Sequence, residues 1–512
     1  MTVEQLNIAL LVASGVLLIA VAAVRLASRS GLPSLLLYLG LGLVIGERGP
    51  LGIEFDRFRL TAVLGYAALV AILTEGGLTT RWSTIRDAVA PAAVLATVGI
   101  TVSVAIAGAA AHVLLHLDWQ IALLLGAMIS STDAAAVFSV LRRVPLPRRL
   151  VGILEAESGF NDAPVVIAVV ELTALLSGHT SQGWLVLVGK AVFELAAGAL
   201  IGLAVGWLGA AGLRRVALPS SGLYPIAVIG LAVGAYAAAA VVLASGFIAV
   251  YLAALVLGNS RLPHGATVRG FAEGLGWVAQ IGLFVLLGLL ADPARLPGQV
   301  VPAVAIGLVL LLVARPASVL ASVSWFGLNL REQAFLSWSG LRGAVPIVLT
   351  TIPVAAGVTG SVGLFDLVFV LVVIFTVIQG PSLPGVAQWL QLSDPLGAVD
   401  LDVESSPLGT LGADVLQVKV GPRSRLHGVE VFELRLPPGA NITLVVRDAD
   451  SFVPSPQTML RHGDDLILVA PSAVRQATED RLREVSAGGK LARWHRRLPA
   501  RRRTGGAPST GS

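Results

Sequence analysis

Apolar stretches near 20 residues, the length a helix needs to cross the hydrocarbon of a bilayer, recur along this chain until about residue 390. Thirteen such spans are expected, at 7–25, 32–47, 60–79, 88–115, 119–141, 150–176, 184–212, 223–243, 246–259, 270–291, 298–321, 333–355 and 363–391. Only 13% of the 512 residues are charged, against about 25% in a soluble domain, which excludes a soluble globular fold. Cysteine is absent, so no disulfide, thiolate nucleophile or Cys metal site is available. His112 and His116 are the only close histidine pair and lack a third ligand nearby, so no resident metal site is expected there. The opening MTVEQLNIALLV has Glu4 and no basic region, and reads as the first span instead of a cleaved signal peptide.

Arginines supply an independent test, because short cytoplasmic loops are rich in Lys and Arg. Arg25 and Arg29, Arg81 and Arg86, Arg142 to Arg149, Arg214 and Arg215, Arg261 and Arg269, and Arg331 all follow odd-numbered spans. Loops after even-numbered spans hold only Arg48, Arg57, Arg59 and Arg295. The N-terminus is therefore expected outside a plasma (inner) membrane, and residues beyond 392 in the cytoplasm. There the composition changes. VLQVKV (415–420), ANITLVVRD (440–448) and DLILVAP (465–471) are short β-type runs between turn-like stretches. They mark a small α/β domain at 405–485, after a transmembrane domain at 1–392. Residues 486–512 carry seven basic residues and no acidic one, as a disordered tail or a segment attracted to the anionic inner leaflet would. No reader motif accompanies that tail, and nucleic acid is not expected as a partner; the lipid bilayer is.

Ionisable residues deep in a span are costly unless paired or wetted, and so mark function. Asp133 interrupts the fifth span in GAMISSTDAAAVF (126–138). The sixth holds Glu155, Glu157, Asn161, Asp162 and Glu171, and the twelfth holds Arg342 in SWSGLRGAVPIVLT (337–350). Counting 1.5 Å per residue from the basic residues at the cytoplasmic edge puts Asp133, Glu157, Asp162 and Arg342 roughly 12 to 20 Å deep in a core about 30 Å thick. Four charges on three spans thus share one level near the midplane. Ser158 and Asp162 are four residues apart and share a face, whereas Glu157 points well away from Asp162, so the two acids should have different partners. Glu157 and Arg342, at equal depth, could form a structural salt bridge. Lys190 and Glu194, four apart, should satisfy each other; Glu75, near the inner end of span three, stays ambiguous. The hydroxyls of Ser130, Ser131 and Thr132, and the glycines and proline of GLRGAVP, weaken regular winding, and unwound carbonyls at membrane depth can ligate a cation. If span seven is a linker, spans five and twelve hold the same place in two six-helix halves, as an inverted repeat requires.

Thr132-Asp133, Glu157-Ser158-x-x-Asn161-Asp162 and Gly340-Leu341-Arg342-Gly343-Ala344-Val345-Pro346 together resemble the motifs of monovalent cation:proton antiporters of the NhaP type, over the first 390 residues. The resemblance implies two crossing, partly unwound helices, an elevator-like bundle moving against a dimerisation domain, and a homodimer. It implies that Asp162 binds the ion and the proton, with Asp133, Thr132 and Ser158 close to the ion, and that Glu157 and Arg342 form a buried pair. Relatives that exchange two protons per cation carry Asp where this chain has Asn161, so the pattern resembles the electroneutral class. LRLPPGANITLVVRD and LRHGDDLILV resemble a TrkA-C (RCK_C) regulatory domain; such domains accompany potassium transport proteins, which tilts the cation towards potassium and raises a regulatory ion or nucleotide on 405–485. No further cofactor is expected.

Chemically, a carboxylate away from water is costly as a bare anion, so it holds either a proton or a metal ion, and that competition is the coupling. Three other readings stand beside potassium/proton antiport. A sodium/proton antiporter differs only in the cation. A gated cation channel would suit polar midplane residues and a regulatory module, and strict proton coupling separates it from an antiporter. An intramembrane aspartyl protease needs two acids on neighbouring helices, but its Gly-x-Gly-Asp signature is missing at Asp133 and at Asp162.

Overall fold

The computed structural model describes residues 3–30, 33–46, 52, 55–141, 146–178, 183–392, 401–407, 413–421, 424–448 and 450–491. Arg48, Arg142, Arg143 and the basic tail beyond Leu491 lie outside them. The chain forms two compact units, Met1–Leu392 and Ser393–Ser512.

The first unit is all helical. Its helices are α1 (Val3–Ser30), α2 (Ser34–Ile45), α3 (Phe58–Thr79), α4 (Val89–Leu115), α5 (Trp119–Met128), α6 (Ala134–Leu141), α7 (Arg148–Leu176), α8 (Trp184–Arg215), α9 (Leu223–Val241), α10 (Gly246–Asn259), α11 (Gly265–Leu290), α12 (Leu296–Phe326), α13 (Leu330–Trp338), α14 (Ala344–Ala355) and α15 (Ser361–Trp389). Among the described residues, eight of these are long and apolar enough to cross a membrane, and five shorter apolar helices fall in the other expected spans. Helix length alone therefore supports eight crossings where hydropathy suggests thirteen. The interior belongs to α15, whose most apolar window is 67% buried, against 17% for α8. Leu185, Val192, Leu200 and Trp207 of α8 are exposed, as suits a helix with lipid for a solvent.

Two of the expected spans are broken in the middle. The fifth is α5 and α6, with non-helical backbone at 129–133; the twelfth is α13 and α14, interrupted at 339–343. Both breaks fall where the sequence places hydroxyls or glycines, which offer the backbone alternatives to a helical ladder. Two π turns, Leu95–Gly99 in α4 and Leu310–Ala314 in α12, loosen their helices without breaking them. The second ends at Ala314, two residues before Pro316, whose missing N–H removes the bond that would continue regular winding.

The second unit is a five-stranded sheet, β1 (Leu401–Pro407), β2 (Ala413–Val420), β3 (Asn441–Arg447), β4 (Asp450–Phe452) and β5 (Asp465–Pro471), with helix α16 (Arg475–Gly488). Strand order is β1-β2-β5-β3-β4 and every pairing is antiparallel. Alternation places Leu416, Val418, Leu466 and Leu468 on one face, where they form a core with Leu482 and Val485 of α16. Asp464, fully buried, is bound by Arg447 through Nε at 2.7 Å and Nη2 at 2.8 Å. The three expected strands coincide with β2, β3 and β5. Strand β1 opens before residue 405 and α16 runs to Gly488, past the expected boundary at 485.

Candidate functional site

Backbone groups unwound inside a membrane need partners within the protein, and here the two breaks serve each other. The Asp133 amide donates to the Leu341 carbonyl at 2.8 Å. Arg342 Nε donates to the carbonyl of Ile129 at 3.2 Å, and its Nη1 to the carbonyl of Gly340. Thr376 on α15 donates to the Arg342 carbonyl at 3.3 Å, Gln379 to that of Trp338 at 2.9 Å, and Asn161 on α7 to that of Thr132 at 3.2 Å. One guanidinium thus sits at the C-terminal ends of α5 and α13, where helix dipoles are negative. The opposite ends meet Asp133. Its carboxylate accepts from the Ala136 amide at 3.2 Å at the start of α6, and lies so close to Gly343, at the start of α14, that a Cβ there would overlap it. Gly343 is therefore a requirement of the crossing.

Helix α7 crosses behind the first break and supplies the buried carboxylates. Asp162, 8% exposed, accepts from Ser131 Oγ at 2.8 Å. Glu157, 3% exposed, accepts from Thr132 Oγ1 at 3.1 Å. The two acids have different partners, as their spacing on α7 requires. Asn161 Nδ2 donates to Thr132 Oγ1 at 2.7 Å. Thr132 uses its own proton on Glu157 and its carbonyl can only accept, so the amide nitrogen of Asn161 has to face Thr132. Asn161 Oδ1 then turns away from Thr132, buried and with no hydrogen-bond partner among the described residues. Ser158 lies one turn before Asp162 and is part-buried, while Asp133 is within electrostatic reach of Asp162.

The ion pair of Glu157 differs from the expected one. Its partner is Arg315 of α12, with Nη1 at 2.6 Å from Oε1 and Nη2 at 2.9 Å from Oε2. Arg342 makes no ion pair with Glu157 among the described residues; it caps the two half-helices instead. Depth counting put Glu157 and Arg342 at one level, but level says nothing about direction around a helix. Arg315 was legible by the rule that flagged the others, as a charge inside an apolar span, and the π turn just before it sets the direction in which it projects. The Ile129, Thr132 and Leu341 carbonyls each already accept one hydrogen bond from a group on another element.

The remaining charges divide. Lys190 pairs with Glu171 as well as with the expected Glu194, 3.7 Å away. Glu75 packs over Gly276 of α11. A cavity of about 210 Å³ is lined by Asp56, Asp292 and Arg295. Arg295 Nε reaches from there to Asp366 Oδ2 at 2.8 Å. No group of three His, Asp or Glu side chains suited to a resident metal occurs among the described residues.

Known proteins resemble this chain in sequence and in fold. Residues 16–389 match the sodium/hydrogen exchanger transmembrane family, and residues 415–483 match the TrkA-C domain. The chain is 39% identical to the K(+)/H(+) antiporter NhaP of Alkalimonas amylolytica, over 81% of this chain and 71% of that one. With the K(+)/H(+) antiporter NhaP2 of Shewanella baltica identity is 35%, covering 87% of this chain and 77% of the relative. A solved sodium proton antiporter, MjNhaP1 from Methanocaldococcus jannaschii, superposes with a TM-score of 0.67 at 21% identity, over 75% of this chain and 99% of that one; the likeness is one of fold.

Proposed function

As a chain that belongs to the sodium/hydrogen exchanger family, the protein exchanges monovalent cations for protons, and we propose that it carries potassium, one for one, at Asp162. The observation that carries the site is a buried acid on α7, bonded to Ser131 where α5 and α6 part. A carboxylate withdrawn from water is poorly stable bare, so protonated and cation-loaded forms alternate on it. Asn161, the neighbour of Asp162 in the chain, offers a buried Oδ1 without a hydrogen-bond partner among the described residues, a neutral oxygen suited to a dehydrated alkali ion. Ser131, Ser158 and Thr132 complete the surroundings, and Asp133 balances the helix ends while adding negative field. Glu157 and Arg315 hold Thr132, and through it Asn161, in place.

Potassium is favoured over sodium by the relatives named K(+)/H(+) antiporters and by the TrkA-C domain. Sodium remains the alternative, since a more distant relative, 29% identical, is named a Na(+)/H(+) antiporter. One-for-one exchange is supported by Asn161 standing beside Asp162, which leaves no second carboxylate at that position. Around this multi-pass unit with its cytoplasmic TrkA-C domain we place an outward N-terminus, a plasma membrane location, a homodimer, a role in pH homeostasis, and regulation by an ion or small nucleotide on residues 405–485. The test is pH-gradient-driven dequenching in proteoliposomes with potassium, rubidium, sodium and lithium in turn. Potassium and rubidium are expected to elicit it most strongly; a response to sodium and lithium alone would select the other cation.

A further inference from the structure

An acid buried within a span is costly and so marks function, and one such acid has no part in the site above. Asp366, in the second turn of α15, is 2% exposed. Its Oδ2 accepts from Arg295 Nε at 2.8 Å. Its Oδ1 is buried and has no hydrogen-bond partner among the described residues. A carboxylate and an arginine pair most strongly when the fork of the guanidinium meets both oxygens, as Arg315 meets Glu157. Asp366 is held through one oxygen only, by a side chain that is itself 46% exposed. The pair is lopsided, and the acid keeps an oxygen in reserve.

Arg295 stands between Asp366 and the cavity of about 210 Å³, which it lines together with Asp56 and Asp292. Val362 lines the same cavity and precedes Asp366 by four residues, so the acid lies one turn beneath the cavity wall on the same face of α15. Asp292 Oδ1 accepts from the Ala294 amide at 3.0 Å, and its Oδ2 is 3.8 Å from Arg295 Nη1. Arg57 and Arg59 are near in the chain but do not line the cavity, and Arg59 Nε turns to the Ala355 carbonyl at 3.4 Å. In and beneath this space, three carboxylates therefore stand against one guanidinium. Such a balance draws cations in.

We infer that Asp366 is an outer binding acid for the transported cation and that Arg295 is its tethered stand-in. An alkali ion entering the cavity takes Asp366 through the unused Oδ1, and the guanidinium withdraws to Asp292 on the cavity wall. The buried acid has a positive partner before and after, which removes the penalty of leaving it bare. This deepens the proposed function, because it rests on exchange at Asp162 and on the outward N-terminus, which puts the cavity on the outer face.

A competed site and a merely structural ion pair differ in sign. Everted and right-side-out vesicles expose the two faces separately. Asp366→Asn removes the binding acid; it should raise the outer-face KM for potassium roughly tenfold and leave the inner-face KM within about twofold. Arg295→Gln removes the competitor and should lower the outer-face KM, whereas loss of a structural pair would move both variants the same way. Guanidinium ion in the outer buffer, the chemical group of Arg295 set free, should inhibit the parent in competition with potassium and lose that effect in Asp366→Asn; this decides the matter should Arg295→Gln not fold. Shifts of one sign in the two variants, equal shifts on both faces, an unchanged Asp366→Asn, or guanidinium competition that is absent from the parent or persists without the acid would each overturn the inference. Asp162→Asn measured alongside separates the two readings: if it still exchanges, the proposed site fails; if it is dead and Asp366→Asn behaves as the parent, only this inference fails.

Discussion

Glu157 lies within the field of two buried arginines and takes only one. Removing Arg315 strands a buried carboxylate, a loss of about 3–5 kcal/mol by general experience with buried pairs. Arg315→Gln should therefore lower the thermal unfolding midpoint in detergent well below that of Arg342→Gln, which leaves the pair intact and removes caps on Ile129 and Gly340. Equal midpoints would return the pairing to question. Asp162→Asn is nearly isosteric and keeps an acceptor for Ser131, so it should yield a folded protein with no exchange in dequenching assays. The motif residues of α7 were legible because charge in a hydrophobic run is conspicuous. The partner of Glu157 was not, because residue counting measures depth along a helix, whereas pairing depends on rotation about it, and one π turn alters that rotation.

At the scale of elements, the crossing of α5–α6 with α13–α14 is held by reciprocal bonds. Asp133 N–H to Leu341 and Arg342 to Ile129 tie each break to the other, so neither half-helix pair is stable at that depth alone. A methyl group at Gly343 would drive the Asp133 carboxylate away from the start of α14. Gly343→Ala should cost about 1–3 kcal/mol, as overpacking does, and abolish exchange, read as a lower midpoint and a silent dequenching trace. Gly340→Ala provides the comparison: the Cβ would stand 2.8 Å from Arg315 Nε and 3.0 Å from Arg342 Nη1, guanidinium atoms held by the Glu157 pair and by the half-helix caps, so it should also lower the midpoint while leaving the Asp133 carboxylate where it is. The breaks themselves could be expected from SSTD and GLRGAVP. That the carbonyls they free would be taken by Arg342, Asn161 and Thr376 could not, since those donors lie on other elements and far along the chain.

For the whole molecule, the proposed one-for-one exchange moves no net charge, so its rate should be indifferent to membrane potential. Clamping proteoliposomes inside-negative should leave the potassium-driven pH change unaltered; a rate that follows the potential would mean unequal charges cross. The two compact units, Met1–Leu392 and Ser393–Ser512, follow from composition: apolar runs stop near residue 390 and alternating β runs begin beyond it. Read alone, the chain determined its solvent, the apolar runs that become helices, the charges within those runs, the places where two helices break and the β-type runs that follow them, because transfer from water to hydrocarbon is a property of each residue and its near neighbours. Tertiary structure decided that Arg315 and not Arg342 pairs with Glu157, that Asp133 lies against the starts of two half-helices, that Asn161 keeps a buried oxygen without a partner among the described residues, and that Tyr251 lies over Gly159. Those choices depend on how helices rotate and close upon one another, and the free energy of a buried charge is settled by whichever group the packing brings within about 3 Å of it.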